Sequence, residues 1–234
     1  MTNAVVMAAG EGTRLRPLTE RWPKPILPID GRPVIATLLR ELAAAGCERA
    51  VVVTGYLAEQ VEELLGDGRA FGIDVRYVRQ PGVLGSADTV TRALDAGLTP
   101  PFLVTGADTV YLPGDVAQFA AAFAVTGAAG ALAVRRDPPP DAPHRSGVRV
   151  ADGRVARVLD RDPANLLSGA PLWAWGPELV PYLDGLSGPP FELADAAQRA
   201  IDSGSVIAAV EIGKTRDLTH PVDLVSENFP YLGR

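Results

Sequence analysis

The chain has 234 residues, of which 47% are apolar, and this is enough to bury the core of one large domain. Its formal net charge is −6 and it contains no basic run, which excludes a nucleic-acid-binding surface because such surfaces need clustered Lys and Arg. Cys47 is the only cysteine, so an internal disulfide is excluded and a reducing compartment is expected.

The sequence also gives an expectation about location. The N-terminal residues do not combine a basic segment with a long apolar stretch, which is the pattern of a signal peptide. No run of about eighteen apolar residues, the length that crosses a membrane, occurs along the chain. We therefore expect a cytoplasmic protein with no membrane partner.

The first half of the chain alternates short apolar runs with helical patterns. Four apolar runs predict strands: Val5–Ala9, Ala50–Thr54, Val75–Arg79 and Phe102–Thr105. The segments between them predict helices: one over 34–42 that ends near Gly46, and others at Leu57–Leu65 and Ala87–Leu94. Strands separated by helices indicate βαβ units, and hence an α/β, Rossmann-like fold with a mainly parallel sheet flanked by helices.

The second half has a different pattern. Val148–Leu159 alternates apolar and polar residues around Asp152-Gly153, which predicts a hairpin. Before it, Asp137–Pro143 contains four prolines and predicts an irregular segment. The elements expected after the hairpin are a Trp-rich apolar segment at Leu166–Trp175, a helix at Glu192–Ser203, a strand at Val206–Ile212 and a helix at Pro221–Phe229. We expect residues 137–190 to form a small antiparallel layer over the mouth of the parallel sheet.

A glycine-containing loop follows the first predicted strand directly. Gly10 and Gly12 allow backbone N–H groups to face a phosphate, although two glycines alone are equally typical of an ordinary turn. Arg14 follows on the same loop, and Lys24, one of two lysines in the chain, lies between two prolines. Either cation alone would be an ordinary surface charge, but together on one glycine loop they indicate a phosphate clamp.

The segment that contains these residues, GEGTRLRPLTERWPKPILPIDGRPVI at 10–35, resembles the motif of the sugar-phosphate nucleotidylyltransferases, which make nucleotide sugars. The resemblance implies a GT-A-like nucleotidyltransferase fold and transfer of a nucleotidyl group from an NTP, UTP or dTTP favoured, to a sugar 1-phosphate. It implies that Ala9, Gly10, Gly12 and Thr13 bind the nucleotide. Two catalytic cations are also implied: Arg14 steadies the phosphates and Lys24 contacts phosphate across the reacting centre.

A second segment of interest joins the third predicted strand to a helix. Gln80 offers a donor and an acceptor to the edge of a base, Gly85 permits close approach of a flat ring, and Ser86 can cap the following helix. A plain strand–turn–helix junction is the alternative interpretation. The sugar-phosphate nucleotidylyltransferases have a similar glutamine and a Leu-Gly-Thr-Ala segment here, which bind uracil or thymine. The resemblance therefore implies that Gln80, Gly85 and Ser86 bind the nucleotide. Ser86 stands where threonine is usual in that family.

Two carboxylates are candidates for a Mg²⁺ cofactor. Asp108 follows the fourth predicted strand, where ligands of parallel sheets bind, and aspartate oxygens suit Mg²⁺. The tail from Asp217 to Leu224 resembles the family's Asp-Ile-Gly-Thr-Pro-x-Asp-Leu segment, which implies Asp217 as the second ligand. Asp223 falls in the first turn of the last predicted helix, where a capping role is favoured.

The sugar side of the site departs most from the resembled pattern. There the family hairpin leads into Glu-Lys-Pro, whose lysine meets the sugar phosphate. Here the resemblance implies Asp160 in place of the glutamate and Arg161 in place of the lysine, although a planar guanidinium is not equivalent to an ammonium. It also implies sugar-phosphate contacts by Gly147, Ser168 and Glu192, and for Glu192 a helix first-turn charge is the alternative.

These interpretations describe one domain, residues 1–234. It comprises a nucleotide-binding core (1–136), a sugar-side subdomain (137–190) and closing helices with the second metal carboxylate (191–234). The implied partners are an NTP and a sugar 1-phosphate. Whether the chain forms a homo-oligomer stays open, since many members of the resembled family form pairs. Three alternatives stay open: a cytidylyltransferase for phosphocholine or a phosphonate, a non-catalytic nucleotide-sensing relative, and a metal-dependent glycosyltransferase.

Overall fold

The computed structural model describes residues 2–136, 147–229 and 231. The proline-rich segment predicted at 137–143 lies outside them. The strands are β1 (Asn3–Ala8), β2 (Pro28–Ile29), β3 (Arg32–Pro33), β4 (Arg49–Thr54), β5 (Asp74–Arg79), β6 (Phe102–Gly106), β7 (Thr109–Val110), β8 (Gly130–Arg136), β9 (Gly147–Ala151), β10 (Arg154–Asp160), β11 (Leu167–Trp175), β12 (Ile207–Glu211) and β13 (Arg216–Asp217). The helices are α1 (Val34–Ala44), α2 (Ala58–Leu65), α3 (Ser86–Asp95), α4 (Asp115–Thr126), α5 (Leu193–Asp202) and α6 (Pro221–Asn228).

Among the described residues, nine strands form one mixed sheet in the order β5-β4-β1-β6-β11-β8-β12-β10-β9. Neighbours from β5 to β6 are parallel, as are β8 and β12, whereas β11 runs antiparallel to both β6 and β8. The four strands predicted in the first half and the predicted helices α1, α2, α3, α5 and α6 are confirmed, with ends that differ by a few residues. The fold is therefore the predicted mixed α/β architecture.

The placement predicted for the antiparallel part was wrong. The hairpin of β9 and β10 is present, with Asp152 and Gly153 at positive φ in its turn, but it extends the edge of the main sheet rather than forming a separate layer. β11 joins the middle of that sheet because its C-terminal half, including Leu172 and Trp175, is buried on both faces. A strand buried on both sides lacks the polar alternation of an outer layer.

Helices cover both faces of the sheet and create two apolar cores. Alternate residues of β1 point to opposite sides, so that Val6 packs with α1, α2 and α4 while Val5 packs with α3 and α5. Five apolar side chains on one face of α1 are fully buried: Val34, Ile35, Leu38, Leu39 and Leu42. Each such side chain stabilises the fold by about 1.5–3 kcal/mol relative to exposure. This packing fixes the carboxyl ends of β1 and β6 side by side, with Met7 opposite Gly106.

None of the described helices has both the length and the apolar character needed to cross a bilayer.

Candidate functional site

A cavity of about 610 Å³ opens at the carboxyl ends of β1 and β6. Its walls come from the loop after β1, the turn after β6 and the segment before α6. It brings together six residues predicted from the sequence: Gly10, Gly12, Thr13, Arg14, Lys24 and Asp108. Ala9 lies instead in an adjoining cavity of about 400 Å³.

The glycine loop is packed against the segment that carries Lys24. Gly12 adopts a left-handed conformation at φ +62°, and a Cβ there would lie 3.0 Å from Thr19 Cγ2 and 3.2 Å from Lys24 Cβ. The Thr19 hydroxyl donates a hydrogen bond of 2.9 Å to the Gly12 carbonyl oxygen. Glycine at position 12 therefore allows the loop and Lys24 to lie in contact, which explains why the motif spaces them as it does.

Lys24 and Asp108 form an ion pair inside this cavity. Lys24 Nζ donates to Asp108 Oδ2 at 2.6 Å, and the two side chains are 20% and 38% exposed. Lys24 and Asp108 are 84 residues apart in the sequence, so it is the fold that brings this cation and this carboxylate together. Arg14 adds a second positive charge to the cavity wall, where its side chain is exposed.

Asp217 is held next to the turn of Asp108 by a small two-stranded sheet. β13 pairs with β7, and Asp217 lies opposite Thr109, the residue after Asp108. The Asp217 carboxylate accepts a hydrogen bond of 2.7 Å from the Thr219 hydroxyl and is exposed, while Leu218 and Thr219 line the cavity itself. The backbone of Asp217 therefore lies next to the turn that carries Asp108, although Asp217 itself is not among the residues that line the cavity.

An arginine clamp fixes the strand that carries Asp217. Arg216 donates to both carboxylate oxygens of Asp30 at 2.6 and 2.9 Å and to Glu227 at 2.5 Å. Hydrogen bonds to these carboxylates raise the pKa of Arg216, and the Arg216 guanidinium lowers the pKa of Asp30. The clamp joins the β2–β3 hairpin, β13 and α6, so the position of Asp217 is set from three sides.

The capping interpretation of Asp223 is confirmed. Its carboxylate accepts hydrogen bonds from the backbone N–H groups of Thr219 at 2.8 Å and His220 at 2.7 Å, at the start of α6. Asp223 therefore orders the segment between Asp217 and α6.

The carboxylate pair is chemically suited to a divalent metal. Magnesium in nucleotide sites is bound through one or two carboxylates together with phosphate oxygens and water, so Asp108 and Asp217 match that donor set. Asp108 already accommodates a cation, the Lys24 ammonium. Within the described residues no cluster of three or more His, Cys, Asp or Glu side chains could hold a metal alone, so phosphate oxygens would have to complete the coordination.

Gln80 lines the adjoining cavity with Ala9, but the residue is only 5% exposed. The Gln80 Nε2 group donates to the carbonyl of Gly85 at 3.2 Å, to Asp88 Oδ2 at 2.7 Å and to Thr89 Oγ1 at 3.3 Å. These bonds tie Gln80 to the turn and first residues of α3, as the alternative interpretation of a strand–turn–helix junction expects. A contact between Gln80 and a base stays a prediction, and it would have to use the carboxamide oxygen.

The prediction that Ser86 caps α3 was wrong. Gly85 is the N-cap residue, and Ser86 is the first residue inside the helix. The Ser86 hydroxyl instead accepts from the Leu193 N–H at 2.8 Å and donates to the Glu192 carboxylate at 2.5 Å. Ser86 therefore joins the N-termini of α3 and α5, a long-range contact that local spacing does not reveal.

Ser86 and Glu192 line a second cavity of about 490 Å³ beside the first. Its walls include apolar side chains such as Leu132 and Trp173, and it shares Met7 and Pro171 with the first cavity. Arg135, near the carboxyl end of β8, also lines it and was missed in the sequence analysis. A charged residue directly after the apolar run 130–134 is the signal that could have found it.

The remaining residues predicted for the sugar side lie in the sheet or away from this cavity. Gly147 is paired with both Asp160 and Ser168 in the sheet. Asp160 is 8% exposed, and its carboxylate accepts from Arg149 at 3.1 Å and from Asn165 at 3.0 Å. These contacts give Asp160 a structural role in the hairpin.

Arg161 lines a different cavity of about 410 Å³, together with Asp162, Asp195 and Gln198. Glu192 is therefore the sugar-side candidate that lines the cavity beside the first one, whereas Arg161 lines neither of these two cavities.

A substitution at Gly85 tests the contact between the N-termini of α3 and α5. It has φ +101°, and a Cβ would lie 2.3 Å from the Phe191 carbonyl oxygen, which accepts from the Ala87 N–H. We expect Gly85→Ala to lower the free energy of unfolding by about 2–3 kcal/mol, measured by urea denaturation. Gly82→Ala is the matched control, because a Cβ at Gly82 meets no atom of the described residues within 4 Å. Equal unfolding midpoints for the two variants would contradict this description of the junction.

Comparison with known proteins identifies the family and agrees with the fold. Residues 3–160 match the family model described as Nucleotidyl transferase, so the chain belongs to that family. It is 41% identical over 106 residues, 45% of this chain and 46% of the relative, to N-acetylmuramate alpha-1-phosphate uridylyltransferase of Neisseria meningitidis. It is 54% identical over 59 residues, 25% of this chain and 24% of the relative, to 2-aminoethylphosphonate cytidylyltransferase of Lancefieldella rimae. The chain thus matches less than half the length of either relative.

Among solved structures, the inositol-1-phosphate CTP transferase from T. maritima is similar to this chain. The two share 22% identity with a TM-score of 0.81, covering 97% of this chain and 96% of that one. At this identity the likeness shows a common fold.

Proposed function

We propose that this chain transfers a nucleotidyl group from an NTP, with UTP or dTTP favoured, to a sugar 1-phosphate, giving a nucleotide sugar and pyrophosphate. The observation that supports this most directly is the cavity in which the glycine loop, Arg14, Lys24 and Asp108 meet. Backbone N–H groups and two cations suit the triphosphate, and the neighbouring cavity with Glu192 suits the acceptor.

The proposed reaction is an in-line displacement at the α-phosphorus. An oxygen of the sugar phosphate forms a bond to this phosphorus while the bond to the bridging oxygen of the β-phosphate breaks, and pyrophosphate leaves. The nucleophile is already an anion, so no general base is required. The residues of the chain act by positioning and by charge: Arg14 holds the phosphates, and Lys24 stabilises the charge at the reacting centre. Asp108 and Asp217 would hold Mg²⁺, which when bound neutralises phosphate charge.

A cytidylyltransferase acting on an aminoalkylphosphonate is the second candidate. Glu192 places a carboxylate in the acceptor cavity, and a carboxylate can bind an ammonium group as well as a sugar hydroxyl. The match to the Lancefieldella rimae protein named 2-aminoethylphosphonate cytidylyltransferase supports keeping this alternative.

A cytoplasmic location is part of the same proposal. Cys47 is the only cysteine of the sequence and is buried, so the chain has no internal disulfide and suits a reducing compartment. Pairing into a homo-oligomer is a further expectation that sedimentation would test.

The experiment that tests the function measures pyrophosphate release across five triphosphates and a panel of acceptors. The panel contains glucose, mannose and N-acetylmuramate 1-phosphates, phosphocholine and 2-aminoethylphosphonate, each with Mg²⁺ and then with EDTA. We expect release with one sugar 1-phosphate and loss of at least 90% of it, roughly the effect of removing an essential Lewis acid, in EDTA. Release only with phosphocholine or the phosphonate would select a cytidylyltransferase. No release from folded protein that binds a nucleotide would favour a nucleotide sensor.

A further inference from the structure

The place where the two cavities meet limits which cation can serve the acceptor. In the proposed reaction, the acceptor phosphate must approach the α-phosphorus held in the first cavity while the rest of the acceptor occupies the second. The cavities share Met7 and Pro171, so the acceptor phosphate has to lie beside these residues. A cation for that phosphate must therefore lie at the same junction.

Arg135 supplies the positive charge among the described residues that line the second cavity. It lines the second cavity near the carboxyl end of β8, in register with Ser168 of β11. The shared residue Pro171 is linked to Tyr111, whose hydroxyl donates a hydrogen bond of 3.0 Å to the Pro171 carbonyl oxygen. Ser168 precedes Pro171 by three residues on β11, so the strand that pairs with β8 at Arg135 also carries the residue that the two cavities share.

Arg161, the cation implied by the family resemblance, does not lie at this junction. The cavity that it lines carries three aspartates against two arginines, a balance of charge that does not favour the entry of a phosphate. Neither Met7 nor Pro171 lines that cavity.

We infer that Arg135 is the residue that binds the phosphate of the acceptor, in the role that the family resemblance gave to Arg161. This inference rests on the proposed function. A guanidinium suits the role because its planar fork can form two parallel hydrogen bonds to phosphate oxygens. The cavity then recognises an acceptor with an anionic end at Arg135, a hydroxyl or ammonium group at Glu192, and an apolar face against Leu132 and Trp173.

The test compares single arginine substitutions by steady-state kinetics with the best acceptor of the panel. We expect Arg135→Gln to raise KM for the acceptor about 10- to 100-fold, the scale of losing hydrogen bonds to a charged group, with KM for the triphosphate within about twofold. Arg135→Lys keeps the charge and should recover part of the loss. Arg136→Gln is the matched control, because Arg136 is adjacent, 64% exposed and paired with Glu211 at 3.1 Å.

The competing assignment predicts a different pattern. If Arg161→Gln raises KM for the acceptor and Arg135→Gln does not, the inference is overturned. A rise confined to the triphosphate KM in Arg135→Gln would also overturn it. Should Arg135→Gln fail to fold, Arg135→Lys decides, since an unchanged acceptor KM there together with a raised one in Arg161→Gln contradicts the inference.

Failure of the proposed function is distinguishable from failure of this inference. If the wild-type protein releases no pyrophosphate with any pair of triphosphate and acceptor, the proposed function is rejected. In that case calorimetric titration with glucose 1-phosphate still tests Arg135: weaker binding by Arg135→Gln than by Arg136→Gln supports the contact, and equal binding rejects it.

Discussion

Asp108→Asn is expected to lower turnover about a hundredfold or more, the effect of losing one electrostatic stabiliser of the transition state. The substitution replaces a charged oxygen ligand by a neutral amide of the same shape, which binds Mg²⁺ poorly. It also removes the negative charge that pairs with Lys24, whose Nζ lies 2.6 Å from Asp108 Oδ2. The effect should appear in pyrophosphate release at saturating substrates and Mg²⁺, and raising the Mg²⁺ concentration should recover part of it.

The control for this variant is Asp74→Asn. Asp74 is an exposed aspartate whose contact with Arg49 is 3.8 Å, so its loss should leave turnover unchanged. Urea denaturation of both variants separates catalytic from structural effects. A folded Asp108→Asn protein with near-normal turnover would contradict the assignment of Asp108 as a metal ligand.

The sequence predicted the parallel half of the fold because each strand there is a short apolar run bounded by turn residues. It did not predict α4 and β8, most of whose residues belong to an alanine-rich stretch, 116–134, that is apolar on nearly every side. Such a stretch has neither a helical nor an alternating period, and periodicity is the signal on which the prediction depends. β11 was misplaced for the same reason, because a strand buried on both faces shows no polar alternation.

The residues of the candidate site also differ in whether a local sequence pattern predicts them. Gly12, Arg14 and Lys24 were predictable because they lie within 13 residues of one another on one loop. The bond from Ser86 to Glu192 spans 106 residues, and only the packing of α3 against α5 creates it. Arg135 was missed because its function depends on which strand lies beside β11, and that follows from the sheet order rather than from any local motif.

Lys24→Ala is expected to change turnover and metal binding in opposite directions. Turnover should fall about a hundredfold or more, because the ammonium that stabilises charge at the reacting centre is lost. Binding of Mn²⁺ without nucleotide should become about two- to fivefold tighter, because the ammonium competes with the metal for the Asp108 carboxylate and a partly exposed pair contributes up to about 1 kcal/mol. Electron paramagnetic resonance of free Mn²⁺ measures the second effect independently of catalysis.

The chain offers its own control for this prediction, since Lys214 is the other lysine and is exposed. Lys214→Ala should leave both turnover and Mn²⁺ affinity unchanged, which separates a specific effect of Lys24 from a general change in surface charge. A fall in turnover with unaltered Mn²⁺ affinity would mean that Lys24 and the metal do not compete for Asp108. Tighter Mn²⁺ binding with normal turnover would mean that Lys24 only neutralises the carboxylate, and its role at the phosphate would be rejected. Both effects together require that Lys24 leave Asp108 when metal and nucleotide bind, so the ion pair seen in the structure is exchanged for two catalytic contacts.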